Sequence, residues 1–269
     1  MLRLDGGKTA QVQSHPAREA SRFDSLTLIT SNPNKVAEVR RYLGDDAPVT
    51  SMAQPIVEAQ EDSKMMELRL GGNYSEVAKN SAIKKFESLI SLPNLTLKHG
   101  MTIMDSAWFA ESQTGLPGIY AASYFIREDN GDGTYSPPLK NLINTCTLAK
   151  SNKKFRAYWT ESVAIVDLSK PDKVTMHLEY EEMECFIPAI PQGDGWGFDP
   201  VTCPDPVELA RLRGDLTNAH TLSKISDRDF QLPLEASKLG LLVSFAQLAP
   251  NEREHFSPRA RIFKRLFGK

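Results

Sequence analysis

Three short stretches carry side chains suited to holding an anion and moving a proton. The first is Thr30-Ser31-Asn32-Pro33-Asn34-Lys35, which joins the apolar run Leu26-Thr27-Leu28-Ile29 to a helix-like run from Val36 to Leu43. A strand, a polar loop and a helix N-terminus in that order aim unpaired backbone N–H groups and a partial positive charge at whatever lies above the loop, so an anion is the natural guest. Lys35 adds a full charge at the same end, and Asn32 and Asn34 can donate and accept around a sugar or a base. The plainer alternative is an ordinary βα turn with Ser31 or Asn34 capping the helix. The second stretch, Met101-Thr102-Ile103-Met104-Asp105, reads as a central strand that ends on a carboxylate. The third, Gly193-Asp194-Gly195-Trp196-Gly197-Phe198-Asp199-Pro200, is a glycine-rich loop with two aromatics and an acid. It lacks the spacing and the following helix of a dinucleotide fingerprint. Two look-alikes fail on inspection. Gly6-Gly7-Lys8-Thr9 lacks the first glycine of a P-loop, with Leu2 in its place. Asp129 to Gly133 has Gly131 where a calcium loop needs an oxygen ligand and Lys140 where it needs a closing glutamate.

These stretches need elements to hold them. Val36, Val39 and Leu43 fall at helical spacing, and Gly44 is placed to stop that helix. Residues 48–55 suggest a short strand and turn. Ser75 to Ile90 reads as a second helix whose apolar face is Val77, Ala82 or Ile83, Phe86 and Leu89-Ile90, closed by Pro93. Phe155 to Leu168 and Lys173 to Ile187 are β-rich runs on either side of a turn, and Val174, Met176, Leu178 and Tyr180 alternate with polar residues as a half-buried strand should. Ser257 to Phe267 is a basic amphipathic segment, and residues 204–243 are mixed and partly helical. Residues 1–24 are small and polar without a sustained period, and are expected to be a mobile extension.

A chain of 269 residues has ample material for a core, in one large domain or two small ones. Its net charge of -2 gives no general attraction to nucleic acid or acidic membranes, so a charged ligand needs a local basic site. Cys146, Cys185 and Cys203 are scattered and odd in number, which fits a reducing compartment and argues against a disulfide framework or a zinc ribbon. No apolar run is long enough to span a bilayer, and the N-terminus lacks the apolar core of a signal peptide. The expectation is a cytoplasmic protein with neither a nucleic acid nor a membrane as partner.

Four separated pieces, in order, resemble the inosine triphosphate pyrophosphatase (Ham1-like) family. They are Thr30 to Lys35 with Glu38-Val39-Arg40; Asp105-Ser106 with Gly115-Leu116-Pro117-Gly118-Ile119-Tyr120; Gly195-Trp196-Gly197-Phe198-Asp199-Pro200; and Ser244-Phe245-Ala246-Gln247-Leu248 through Glu252-Arg253 to Ser257-Pro258-Arg259. Asn80 to Lys84 is a weaker fifth. The resemblance covers roughly residues 25–265. It implies an α/β fold in which a long, curved mixed sheet is flanked by helices, with a nucleotide cleft between two lobes. It makes residues 25–269 one domain, with 204–243 as an insertion where the family has a short loop. The implied activity is hydrolysis of a nucleoside triphosphate, including non-standard purine nucleotides, to the monophosphate and pyrophosphate, by a homodimer.

Such hydrolysis needs neutralised phosphate charge, a fixed substrate and an activated water in line. By the resemblance, Mg²⁺ supplies much of the first, held by Asp105 and Glu67, and Asp105 takes the proton from water. Lys35, Lys84 and Arg259 then bind phosphates. Thr30, Ser31, Asn32, Asn34, Ser106, Gly197, Arg253 and Ser257 complete the nucleotide contacts, while Trp196 and Phe198 stack on the base and Asp199 accepts from its edge. Plainer roles stand beside these: a loop acid for Asp105, a solvated glutamate for Glu67, surface charges for the cations and a packed aromatic turn for Trp196 and Phe198. Three positions depart from the family pattern. Met104 replaces an acid, Pro258 replaces a histidine that recognises the 6-oxo group of the base, and Arg253 replaces a lysine. Met104 and Pro258 favour an alternative, a nucleotide sensor of the same fold with little or no turnover. An interaction protein using residues 204–243 and the basic C-terminus is a further one.

Overall fold

The computed structural model describes residues 2–3, 9–13, 23, 25–30, 33–44, 48–53, 59–93, 95–121, 128–129, 135–136, 139–169, 173–195 and 197–267. The chain begins with β1 (Leu2–Arg3), β2 (Thr9–Gln13), β3 (Leu26–Ile29), α1 (Pro33–Leu43) and β4 (Val49–Met52). Next come α2 (Ser63–Leu70), α3 (Tyr74–Ile90), β5 (Met101–Ala110) and β6 (Leu116–Gly118). β7 (Glu128–Asp129), β8 (Tyr135–Ser136), α4 (Leu139–Asn152), β9 (Arg156–Asp167) and β10 (Lys173–Phe186) follow. The chain closes with β11 (Cys203–Pro204), α5 (Pro206–Leu212), α6 (Leu216–Ser223), α7 (Gln231–Lys238), α8 (Pro250–Phe256) and α9 (Pro258–Phe267).

The main sheet runs β1-β2-β10-β9-β5-β3-β4, with β11 beside β10 and β6 beside β5. β3 is parallel to β4 and β5, whereas β5, β9 and β10 are antiparallel, so the sheet is mixed and the fold α/β, as expected. Side chains alternate between the two faces of each strand. On one face Ile103, Ala164, Val166 and Met176 pack under Ala82, Phe86 and Leu89 of α3. On the other, Met104, Val163 and Ile165 pack under Val39 and Leu43 of α1 and Ile262 and Phe263 of α9. The central strand therefore hands successive residues to two different helical layers.

The helix boundaries have local causes. α1 stops at Gly44, whose φ of 94° suits glycine and whose N–H donates to the Arg40 carbonyl at 2.8 Å. At the start of α9, Ser257 Oγ accepts the Ala260 N–H at 3.2 Å and Pro258 occupies the first helical position, where its missing N–H leaves no bond unmade. Neither α2 nor α4 was expected. α2 buries only Met65 and Arg69, and α4 leaves Ile143 and Leu148 exposed, so both blur the apolar period.

Residues 204–243 fold into α5, α6 and α7, whose Val207, Ala219, Leu222 and Leu232 form a small core against Phe186 and Cys203. Of residues 1–24, expected as a mobile extension, Leu2–Arg3 and Thr9–Gln13 pair at the sheet edge beside β10, and Phe23 is buried. The other residues of that segment lie outside the described ones. No described helix is long and apolar enough to cross a membrane.

Candidate active site

β3 pairs with β5 only through Thr27–Met101 and Leu28–Thr102, while β5 continues beside β9 as far as Ala110. The two parallel strands thus part just before Asp105, and crevices beyond the carboxyl ends of parallel strands are where open α/β sheets hold ligands. Lys35, in the first turn of the helix that leaves β3, crosses this opening and donates from Nζ to the Met104 carbonyl at 3.2 Å. Burial pushes the Lys35 ammonium pKa below its usual value, and the nearby Glu161 and Asp105 carboxylates pull part of it back.

Asp105 faces α3 and is buried. Lys85 Nζ donates to its Oδ1 at 2.6 Å and Ser81 Oγ to its Oδ2 at 2.5 Å. Ser81 and Lys85 lie one helical turn apart, on the stripe of α3 that also buries Ala78, Ala82 and Leu89. Lys84, expected at the phosphates, is not the lysine that pairs with Asp105. It binds the Asp62 carboxylate at 2.8 Å and the Gln60 carbonyl at 2.9 Å. One residue turns a helix by about 100°, which is the whole difference between the two lysines. A lysine at an inward position of an apolar stripe needs a buried acid, and that signal was present in the sequence at Lys85. Glu67, expected as a second metal ligand, stands exposed on α2.

Ser106, next along β5, faces the opposite layer. Its hydroxyl donates to Glu161 Oε2 at 2.7 Å, and Glu161 is its direct cross-strand neighbour on β9. Arg259 reaches the same carboxylate from α9, with Nε 3.1 Å from Oε1 and Nη2 3.0 Å from Oε2. It also donates from Nη2 to Ser106 Oγ at 2.9 Å and from Nη1 to the Glu38 carboxylate. Tyr42 ties this group together, donating to Glu38 Oε1 at 2.5 Å while its oxygen lies 3.1 Å from Ser257 Oγ, which donates to it. Burial works against the guanidinium charge, but Glu161 and Glu38 outweigh it and hold its pKa above the usual value. Arg259 is 2 % exposed and Glu161 0 %. Arg259, expected at the phosphates, gives its donors here to two glutamates and Ser106. Glu161 and Glu38 were missed as parts of this network, although a glutamate among the inward residues of β9 is a visible anomaly.

The third stretch lies near α8. Arg253 Nη2 donates to Asp199 Oδ2 at 2.5 Å. Burial pushes the Asp199 carboxyl up to about 6, with Arg253 opposing the shift. Phe198 stacks on Trp108 with ring centroids 4.6 Å apart and planes 13° apart, so one of its faces is taken by the core rather than by a base. Gly197 has a φ of 63°, which favours glycine. The Thr30 N–H donates to the Met52 carbonyl at 3.0 Å, and Ser257 caps α9 as described above. Ser31, Asn32 and Trp196 lie outside the described residues, as does the side chain of Asn34.

Among the described residues no group of three or more histidine, cysteine or acidic side chains could hold a metal ion. What the site offers a hard cation is the Asp105 carboxylate, with one protein donor on each oxygen and further lone pairs on both. Mg²⁺ commonly takes one or two carboxylates and completes its shell with waters and substrate phosphates. The donor set thus fits a magnesium ion bound through Asp105 and the phosphates, not an ion caged by protein alone.

Known structures and families match this architecture. The Ham1 protein of Staphylococcus aureus superposes with a TM-score of 0.53 at 14% identity, covering 91% of this chain and 96% of that one. A HAM1 protein from Coxiella burnetii gives 0.52 at 15%, covering 91% and 98%. At these identities the likeness speaks to the fold. Among curated proteins none matches the sequence significantly. The family model described as the Ham1 family matches residues 26–229, from β3 through α6 and including Lys35, Lys85, Asp105 and Asp199. With most of its length under that match, the chain belongs to the Ham1 family, whose members are nucleoside triphosphate pyrophosphatases, hydrolases acting on acid anhydrides.

Proposed function

We propose that this protein hydrolyses a nucleoside triphosphate, of the non-standard purine kind, to the monophosphate and pyrophosphate, with Asp105 as the base that activates water. The observation that carries this reading is the meeting of Lys35 from α1, Lys85 from α3 and Asp105 from β5 where β3 and β5 part. The two ammonium groups supply positive charge for a polyphosphate beside the N-terminal end of α1, where the helix dipole favours an anion. Lys85 and Ser81 fix the Asp105 carboxylate, so its remaining lone pairs have defined directions for a water. Mg²⁺, held by Asp105 and phosphate oxygens, supplies charge neutralisation when bound. Asp199 and Arg253 form the polar pair offered to the base, with Arg253 presenting its further N–H donors.

The test is a panel of nucleoside triphosphates incubated with purified protein and Mg²⁺, with pyrophosphate assayed. Release from at least one of them is expected, and release from none ends the proposal. Asp105→Asn is expected to abolish turnover in a folded protein, and turnover retained in that variant would move the base elsewhere. A second reading, nucleotide binding without turnover, is favoured by Arg259 being committed to Glu161 and Glu38. Calorimetry showing tight binding without pyrophosphate release would select it.

A further inference from the structure

Ser162 lies on β9 directly opposite Asp105 and on the same face of the sheet. It is 0 % exposed, and its hydroxyl has no hydrogen-bonding partner among the described residues. Its other cross-strand neighbour, Tyr180, gives its own hydroxyl to Glu182 at 2.7 Å. The next hydroxyl along the same face, Thr160 Oγ1, donates to the Ala107 carbonyl at 3.3 Å. A buried hydroxyl without a partner loses free energy on the order of 1–3 kcal/mol, so such groups are rare unless something else satisfies them. α3 packs on β5 and β9, and the inward residues of its middle turns are small: Ala78, Ser81 and Ala82.

We propose that Ser162 is a positioning residue for Asp105, holding its carboxylate through one buried water. This rests on the reading of Asp105 as the base. Directly opposed residues have Cβ atoms about 4.5–5.5 Å apart. The oxygens they carry then fall within the span of one water, which bridges two groups with hydrogen bonds of about 2.8 Å each. Buried waters typically make two to four bonds to groups otherwise unsatisfied, and the Ser162 hydroxyl is such a group. A carboxylate has about four acceptor directions. Ser81 and Lys85 take two, the bridging water takes a third, and the fourth faces the reacting water, through which Asp105 would hold the metal ion. In the reaction that water forms the new P–O bond and gives its proton to Asp105. The bridging P–O bond breaks, and its electron pair leaves with pyrophosphate. Ser162 exchanges no proton; it sets the direction of the lone pair that receives one.

Two measurements test this. A crystal structure of the wild-type protein is expected to show an ordered water within hydrogen-bonding distance of both Ser162 Oγ and the Asp105 carboxylate; density lacking that water overturns the proposal. The water is read without any assay, so it decides this inference even if the wild type hydrolyses no triphosphate, a result that would count against the proposed function instead. In the active enzyme, Ser162→Ala is expected to lower kcat by roughly tenfold or more, as small misplacements of reacting groups do. KM should stay within about twofold, because the substrate contacts are untouched. An unchanged kcat in the folded variant also overturns it. If Ser162→Ala does not fold, the wild-type crystal structure is decisive.

Discussion

Replacing Arg259 by methionine removes the cation that Glu161, Glu38 and Ser106 all bind. Glu161 is 0 % exposed, so the variant strands a carboxylate that water cannot reach. Breaking a buried pair from one side typically destabilises by about 3–5 kcal/mol, because the uncompensated charge remains. At about 2–4 °C per kcal/mol for a domain of this size, the midpoint of thermal unfolding should fall by roughly 6–20 °C. Urea unfolding checks the free energy directly, with an unchanged slope showing that the same surface is exposed. Adding Glu161→Gln removes the stranded charge and should recover at least about half of the loss, since a neutral amide is far less costly to bury than an ion. A loss below about 1 kcal/mol in the single variant, with a raised KM for triphosphate, would refute this. It would mean that Arg259 serves the substrate after all and that its ion pairs dissolve when substrate binds.

Two further outcomes follow from the same geometry. Lys85→Met should lower kcat by roughly a hundredfold or more, whereas Lys84→Met should stay within about threefold, since a partly exposed pair such as Lys84–Asp62 contributes little; equal effects in steady-state assays would contradict the assignment. The Asp199 carboxyl sits at about 6 in the folded protein against its usual 3.8, so folding favours its protonated form. The stability this gives is complete below pH 3.8 and is lost as pH rises through 6, at most roughly 3 kcal/mol. Asp199→Asn should therefore be more stable relative to wild type at pH 7.5 than at pH 3.5 in urea titrations, and a difference that does not vary with pH would count against the buried carboxyl.

Much of the scaffold was legible along the chain. Two β-rich runs around a turn marked β9 and β10, helical spacing at Val36, Val39 and Leu43 marked α1, and the central strand expected over Met101 to Asp105 is β5, which runs on to Ala110 and leaves Asp105 in mid-strand. Such periods report local backbone geometry, which neighbouring residues largely determine. They also say which residues share a face. They do not say what lies on the other side of it. Asp105 could be named as an acid on a central strand, but its partner is Lys85 and not Lys84, and that choice depends on how α3 rolls against β5. Arg259 carried a charge suited to phosphate. Its burial against Glu161, 98 residues away, and Glu38, 221 away, follows from α1 and α9 closing on one face of the sheet. That one face of Phe198 packs on Trp108, 90 residues earlier in the chain, was likewise set by the fold. Contacts across such sequence separations arise from packing, and packing is a property of the assembled layers that no local pattern encodes.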